Sequence, residues 1–294
     1  MLEIQHVHKR YGSRDALRDV TFTVREGRMT GFVGRNGAGK TTAMRIILGV
    51  LSADAGEVLL DGSALSAGDR RRFGYMPEER GLYPKMKVAE QLVYLARLHG
   101  VSSSRAKANA ADLLEQLDLT ERASDMVESL SLGNQQRAQI AAALVHDPEI
   151  LILDEPFSGL DPVAVEVVQG VLKGYAAAGA PVLFSSHQLD IVERLCDDLV
   201  IIADGEIRAA GPREELRNQF STPRFEIRTG ADCAWIGDVP GIALISQVDG
   251  IAVFEAETDV ASQEVLRQAI ACGPVHAFGR QQPSLASIFK EVVK

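Results

Sequence analysis

The chain has 294 residues, and 46% of them are hydrophobic, which is enough for a sizeable core in one large domain or in one large and one small domain. Its formal net charge of −9 argues against a surface devoted to nucleic acids, because proteins that follow phosphate backbones carry clustered positive charge. Three widely spaced cysteines favour reduced thiols over a disulfide scaffold or a zinc site. No segment reaches the ~20 apolar residues that cross a bilayer, so we expect a soluble, cytosolic chain.

The first chemical motif is the glycine-rich run GRNGAGKTT, here called the phosphate loop (residues 34–42). It follows a predicted buried strand at residues 29–33 and precedes a helix-like segment. Glycines allow the positive φ angles that turn backbone N–H groups onto an anion, with the positive end of the helix behind them. Lys40 would add a charge at the β- and γ-phosphates, and the Thr41 hydroxyl would lie beside Mg²⁺. The motif predicts nucleotide binding by Gly34, Arg35, Asn36, Gly37, Ala38, Gly39, Lys40, Thr41 and Thr42.

Short apolar strands alternate with longer helical patterns over about residues 1–215, which predicts an α/β domain with a mainly parallel central sheet. A mainly helical segment covers about residues 86–147. It includes the run LSLGNQQR, whose first five residues (130–134) are here called the signature segment. Ser131 can cap the helix that follows, and Gly133 presents an unobstructed backbone N–H. By itself this run is typical of any capped helix.

The run ILILDEP predicts a buried strand at residues 150–153 that ends in two adjacent carboxylates. In folds with a phosphate loop, a carboxylate at the exit of such a strand faces the loop. Asp154 is the natural partner of Mg²⁺, directly or through water, and Glu155 is placed to polarise the attacking water. Two more strands are predicted at residues 181–185 and 199–203, and the second leads into an Asp-Gly hairpin turn.

Beyond Pro212 the pattern changes to a short polar helix and then to a linker at residues 221–223. The remainder predicts a small α+β domain without a catalytic motif. Its predicted elements are strands at 225–228, 242–248, 251–256 and 275–278, a helix at 262–271 and a closing helix from Ser284. We therefore expect a nucleotide-binding domain at residues 1–217 and an accessory domain at residues 218–294.

Five motifs follow one another along the chain: the phosphate loop, the signature segment, the acidic strand end, SGLDP (residues 158–162) and SSHQ (residues 185–188). Their order resembles that of the ATP-binding-cassette (ABC) family over about residues 1–215. The resemblance implies a P-loop NTPase cassette that binds ATP and Mg²⁺ and hydrolyses ATP, with the helical segment as a subdomain. It also implies that Tyr11 stacks on adenine and that His187 senses the γ-phosphate beside Glu155.

The resemblance further implies that two copies of the chain pair head to tail. Ser131 and Gly133 would contact the γ-phosphate held by the partner's Lys40 and the partner's Thr41, and Asp161 would link the two sites. ATP would bridge the two copies, and hydrolysis would remove the bridge and open the dimer. In a transporter this motion would drive membrane helices docked near residues 78–100.

Two departures from the common family pattern stand out. The signature segment reads LSLGN in place of LSGGQ, so Leu132 and Asn134 replace a glycine and a glutamine. Glu78, in YMPEERGLYPKMKV, stands where the family normally has a glutamine, and we treat it as a candidate metal-site residue. Together with GNQQR and the PSLASIF segment (residues 283–289), these features resemble the branch of bacterial cassette ATPases associated with sodium and drug export.

We therefore expect the ATP-hydrolysing subunit of an ABC exporter, a homodimer attached to the inner face of the cell membrane through separately encoded transmembrane permease subunits. The alternative is a soluble cassette ATPase that acts on ribosomes or DNA. The single cassette, the absence of a long coiled-coil insertion and the lack of basic excess stand against it. A third alternative is that the small C-terminal domain makes this chain a regulated binding module whose weak ATPase activity serves as a switch.

Overall fold

The computed structural model describes residues 1–79, 81–220, 223–230, 232–281 and 285–293. These divide into two compact units, Met1–Arg213 and Glu214–Lys294. Residues 221–222 of the predicted linker and the predicted start of the closing helix at Ser284 lie outside the described residues. So do Pro283 and the side chain of Ser287, both in the PSLASIF segment.

The strands, in chain order, are β1 (Leu2–Tyr11), β2 (Arg14–Val24), β3 (Met29–Val33), β4 (Ala55–Leu60), β5 (Ser63–Ala64), β6 (Phe73–Met76), β7 (Ile150–Leu153), β8 (Val182–Ser186), β9 (Asp198–Ala203), β10 (Glu206–Pro212), β11 (Arg224–Thr229), β12 (Ile242–Val248), β13 (Ile251–Ala256) and β14 (Val275–Gln281). The helices are α1 (Lys40–Ile47), α2 (Val88–Leu98), α3 (Ser103–Gln116), α4 (Leu132–Leu144), α5 (Pro162–Ala177), α6 (Leu189–Leu195), α7 (Arg213–Gln219), α8 (Asp259–Cys272) and α9 (Leu285–Val292). The strands β3, β7, β12 and β13 have the bounds expected from the sequence.

The first unit is built around a six-stranded sheet with the order β10-β9-β3-β8-β7-β6. The strands from β9 to β6 are parallel to their neighbours, and β10 runs antiparallel to β9. Every residue of β3 and β7 is buried, as expected for inner strands of a parallel sheet. The predicted α/β domain with a mainly parallel sheet is therefore confirmed.

The carboxyl ends of β3, β8 and β7 lie at one edge of this sheet, because the three strands are parallel neighbours. Val33, the last residue of β3, pairs with Ser186, the last residue of β8. The phosphate loop follows β3, Asp154 and Glu155 follow β7, and His187 follows β8. The topology therefore gathers three of the sequence motifs at the same edge, where α/β sheets bind their ligands.

A second sheet in this unit is antiparallel, with the order β2-β1-β4-β5, and the sequence analysis did not predict it. Its hairpin between β1 and β2 turns at Gly12, which has a φ of 58°, and places Arg14 opposite Tyr11. One hydrophobic core joins the two sheets, with the rings of Phe22 and Phe32 centred 5.2 Å apart. This shared core fixes where the hairpin stands relative to the phosphate loop.

The predicted helical segment contains α2, α3 and α4, which pack on one another. The start of α4 is capped as predicted, because the Ser131 hydroxyl accepts a hydrogen bond from the Asn134 N–H at 3.4 Å. Among the helices that the structure describes, none combines the length and the apolar character needed to span a bilayer.

The second unit contains an antiparallel sheet with the order β12-β13-β11-β14 and the helix α8, which packs against it. Phe225 and Phe254 stack in its core with ring centroids 5.7 Å apart. The predicted small α+β domain is confirmed. The prediction placed the start of its helix too late, because Thr258 caps α8 by accepting a hydrogen bond from the Ala261 N–H.

Candidate nucleotide-binding site

The phosphate loop needs glycine at two positions for different reasons. Gly39 has a φ of 114°, in the left-handed region that side chains disfavour, and it immediately precedes α1. Gly34 is not among the glycines with positive φ, but a Cβ there would lie 2.5 Å from the carbonyl oxygen of Ile202. The loop therefore passes close to β9 and turns directly into α1, which leaves the helix's N-terminal N–H groups facing the space in front of it.

The side chain of Lys40 folds back onto the phosphate loop. This side chain is buried, and its Nζ donates hydrogen bonds to the carbonyl oxygens of Gly34 at 2.7 Å and Arg35 at 3.4 Å. These neutral carbonyls are weaker partners for an ammonium group than a phosphate oxygen is. The charge is thus held at the loop, where a bound phosphate can take over the hydrogen bonds.

Asp154 is fixed between two hydroxyl groups. Thr41 Oγ1 donates to Asp154 Oδ2 at 2.9 Å, and Ser185 Oγ donates to Asp154 Oδ1 at 2.5 Å. Burial raises the pKa of the adjacent Tyr75, and the Asp154 carboxylate adds to that shift.

The oxygen atoms of Thr41 and Asp154 suit Mg²⁺, which takes one or two protein oxygens and completes its octahedral shell with phosphate and water. The described residues hold no cluster of three or more His, Cys, Asp or Glu that could bind a metal by itself. A bound nucleotide would therefore have to supply part of the metal's coordination. The residues present fit that arrangement.

Glu155 is held in a strained backbone conformation, with a φ of 53° that is uncommon for a residue with a side chain. Its N–H donates to Ser185 Oγ at 2.8 Å. Its carboxylate is largely buried and lies 2.9 Å from His187 Nδ1, whose ring is 55% exposed. Strain of this kind persists when the surrounding structure holds it, and it is concentrated at functional sites.

A cavity of about 500 Å³ lies in front of the phosphate loop, and the residues around it are here called the loop side. It is lined by Tyr11, Arg14, Ala16, Asn36, Gly37, Gly39, Lys40, Thr41, Thr42, Glu78, Asp154 and Glu155. Glu78 also lines a smaller cavity with Thr41 and Asp154. The structure thus brings Tyr11, the phosphate loop, Glu78 and the acidic strand end around one space that is large enough for a nucleotide.

Residues 17–158 match the ABC transporter family, and residues 211–293 match the C-terminal domain of DrrA1-3-like ATP-binding proteins. The chain is 40% identical to the uncharacterized ABC transporter ATP-binding protein YhaQ of Bacillus subtilis, over 100% of this chain and 98% of that protein. This chain belongs to the ABC transporter ATP-binding proteins. A second relative, the Nod factor export ATP-binding protein I of Burkholderia orbicola, is 34% identical over 86% of this chain and 84% of its own length.

Two solved structures support the same assignment for the cassette. The structure of an ATP-binding subunit of an ABC transporter superimposes with a TM-score of 0.69 and 34% identity, over 75% of this chain and 93% of that chain. A bacterial ABC transporter cassette that was solved as a dimer superimposes with a TM-score of 0.66 and 26% identity, over 72% of this chain and 98% of that chain. The predicted cassette fold is confirmed.

Seven predicted site residues do not line the nucleotide cavity. Gly34, Arg35 and Ala38 belong to the phosphate loop, and His187 contacts Glu155. The other three are Ser131, Gly133 and Asp161, here called the signature side. Two of them cap helices, since Asp161 Oδ1 accepts a hydrogen bond from the Ala164 N–H at 2.8 Å just as Ser131 caps α4. A Cβ on Gly133 would lie 3.6 Å from the carbonyl oxygen of Gly159, so the signature segment and the SGLDP motif are neighbours. These residues form a second group within the same unit.

Sequence reasoning missed Arg14 and Ala16 as residues of the nucleotide cavity. Arg14 Nη2 lies 3.5 Å from the carbonyl oxygen of Gly37, at the tip of the phosphate loop. The signal in the sequence was the short turn after Tyr11, because a two-residue turn returns the chain to the side of the aromatic ring. A basic residue directly after such a turn is a candidate phosphate or ribose contact.

Proposed function

We propose that this chain is the ATP-hydrolysing subunit of an ABC exporter, and that two copies close head to tail on ATP. The convergence of Lys40, Thr41, Asp154 and Glu155 on one cavity carries the proposal. These residues supply a phosphate-binding loop, a metal site and an acidic group for the attacking water. Hydrolysis of a nucleoside triphosphate requires these parts.

Each residue of the loop side has a distinct task in this proposal. Lys40 turns its Nζ from the loop carbonyls to the β- and γ-phosphates, and the N-terminal N–H groups of α1 bind the same oxygens. Thr41 and Asp154 would hold Mg²⁺, which would offset the negative charge of the phosphates. Tyr11 stacks on the adenine ring from the end of β1.

Glu155 is the general base that orients the attacking water. Its side chain starts from a backbone that is held by Ser185, and His187 contacts its carboxylate at 2.9 Å. In this role His187 senses the γ-phosphate by contacting both that phosphate and the Glu155 carboxylate. We further propose that Glu78, which stands beside Thr41 and Asp154, takes part in the metal site of the closed state.

The second copy would complete the site. Ser131 and Gly133 would meet the γ-phosphate bound by the partner's Lys40, while Asp161 would connect the two sites. Their position outside the nucleotide cavity of their own chain supports this division of labour.

The membrane partner would dock on the helical segment near residues 78–100. An exposed apolar groove of about 520 Å³ in this region supports the proposal. Tyr83 and Tyr94 form its wall, with ring centroids 6.4 Å apart, and Met86 lines it. Exposed aromatic groups are typical of protein interfaces. The chain would then lie at the inner face of the cell membrane, attached to transmembrane permease subunits.

Export is the direction that the relatives favour, because one of them is named a Nod factor export protein. The alternative of a cassette that acts on ribosomes or DNA is not favoured, since the relatives are named as transporter subunits. The second unit, which we propose to be an accessory domain from about residue 218, would serve dimer contacts or regulation.

The experiment compares ATP binding with ATP hydrolysis in Glu155→Gln. The amide keeps the shape of the side chain and removes the base, so hydrolysis should fall by roughly 10²- to 10⁴-fold while ATP binding persists. Hydrolysis at the unmodified rate would contradict the role of Glu155.

A further inference from the structure

Helix α4 carries two buried glutamines one turn apart, Gln136 and Gln139, with 5% and 3% of their surface exposed. Residues three apart on a helix lie on the same side. A buried amide is costly unless its polar atoms are hydrogen-bonded. The partners of these two side chains therefore show what this side of α4 is built to hold.

Gln136 holds the backbone of the proposed base. Its Nε2 donates hydrogen bonds to the carbonyl oxygens of Glu155 at 3.0 Å and Pro156 at 3.1 Å. Since the Glu155 N–H donates to Ser185, both peptide groups that flank the strained φ of Glu155 are fixed. Without the amide, the peptide after Glu155 could rotate toward a commoner conformation and move the carboxylate.

Gln139 holds the other acidic loop in the same way. Its Nε2 donates to the carbonyl oxygens of Pro77 at 2.7 Å and Glu79 at 3.3 Å, the two residues that flank Glu78. Its Oε1 is buried and has no hydrogen-bond partner among the described residues. Turning the amide over would set this oxygen against two carbonyl oxygens, so the side chain is retained for its two donors in spite of the unsatisfied acceptor.

We propose that Gln136 and Gln139 are positioning residues that fix Glu155 and Glu78 relative to helix α4. This helix begins after Ser131, the residue that would meet the partner's nucleotide. One rigid helix therefore joins the contact with the partner to both acidic groups, so that closure of the dimer and placement of the acids occur together. The inference rests on the proposed roles of Glu155 and Glu78.

The first test uses the full chain with Gln136→Met, which keeps the length of the side chain and removes its donors. Because a displaced base affects the reaction and not ground-state binding, kcat should fall about 10- to 100-fold. The Kd for ATP, measured by equilibrium dialysis without Mg²⁺, should stay within about twofold.

The matched control is Asn109→Leu. Asn109 Nδ2 donates to the carbonyl oxygen of Val145 at 2.9 Å, so the control removes an amide hydrogen bond at the far end of α4. It should lower the melting temperature without changing kcat. If Gln136→Met fails to fold, Gln136→Asn, which keeps the amide but cannot reach as far, should lower kcat instead.

The second test uses Gln139→Met and measures how metal ions bind and support hydrolysis. This variant should raise the Mg²⁺ concentration for half-maximal hydrolysis, and it should weaken Mn²⁺ binding in the presence of ATP, measured by electron paramagnetic resonance. The kcat at saturating Mg²⁺ should change less than in Gln136→Met.

The proposal is overturned if the Gln136 variants and Asn109→Leu have the same kcat, or if Gln139→Met leaves Mn²⁺ binding unchanged. Failure of the proposed function is a separate result, because it would appear as full hydrolysis by Glu155→Gln. In that case a loss of kcat in Gln136→Met would have to act through another group, which also rejects the positioning role.

Discussion

The loop side and the signature side of this ABC cassette differ in how much of the site one chain supplies. On the loop side, Lys40, Thr41, Asp154 and Glu155 surround one cavity and are held by contacts within the chain. On the signature side, Ser131 caps a helix and does not reach that cavity. Under the proposed function, one chain supplies the loop side of each site, and the second copy supplies the contact of the signature side with the γ-phosphate.

Apolar side chains near the signature side point to the same conclusion. Leu132 is 61% exposed and follows Ser131, and Val163 is 72% exposed and lies two residues after Asp161. Large apolar groups that are exposed beside functional polar groups are typical of surfaces that a partner covers. The unusual leucine of the signature segment thus adds apolar surface at the expected interface with a second copy.

The largest effect on ATP affinity is expected on the loop side, from Lys40→Ala. ATP affinity should fall about 10- to 100-fold, because the phosphates lose their nearest full charge. Equilibrium binding of ATP to the full chain measures this, with the exposed Lys173→Ala as the control. Unchanged ATP affinity in the Lys40 variant would reject the phosphate-loop interpretation.

On the signature side, Gly133→Asp should separate binding from hydrolysis. The nearest atom to a Cβ at this position lies 3.6 Å away, so the fold can accept a side chain there. The added carboxylate would face the nucleotide of the partner copy, where repulsion between like charges costs several kcal/mol. Hydrolysis should fall at least about 10-fold with ATP affinity unchanged. Gly170→Asp, on open space of α5, is the control.

A smaller effect is expected at Glu78, which joins the loop side from a different part of the chain. Glu78→Gln removes a charge from the metal site, so the Mg²⁺ concentration for half-maximal hydrolysis should rise about threefold or more. Glu115→Gln, at an exposed position on α3, is the control. Superimposable Mg²⁺ titrations of wild type and Glu78→Gln would leave Glu78 as a bystander.

The smallest effect on nucleotide binding is expected from removal of the second unit. A chain of residues 1–217 should keep its ATP affinity within about twofold, since a compact domain with its own core can fold alone. Calorimetric titration with ATP measures this, and circular dichroism shows whether the shortened chain is folded. A folded chain that bound no ATP would show that the two units are not independent.

Most of the loop side could be predicted because its signals are local. The phosphate loop joins a strand to a helix, and the acidic pair ends a run of buried apolar residues, so adjacent residues determine both. Arg14 could not be predicted in the same way, because its position depends on an antiparallel hairpin that packs against a sheet formed later in the chain.

The two glutamines of α4 escaped prediction for a related reason. In the run NQQRAQ, amides are indistinguishable from polar residues on a solvated helix face. Their role depends on carbonyl groups that lie 20 and 62 residues away along the chain. Only the three-dimensional structure brings those carbonyls to the helix, whereas the Ser131 cap could be read directly because it is local.

The central claim, that ATP completes the site by joining two copies, is tested most directly by the mass of Glu155→Gln in solution. Size-exclusion chromatography with light scattering, at saturating ATP and Mg²⁺, should give twice the chain mass of 31.8 kDa. The same variant without ATP, and the double variant Lys40→Ala with Glu155→Gln, should give the mass of one chain. A single-chain mass for Glu155→Gln with ATP bound would contradict the account.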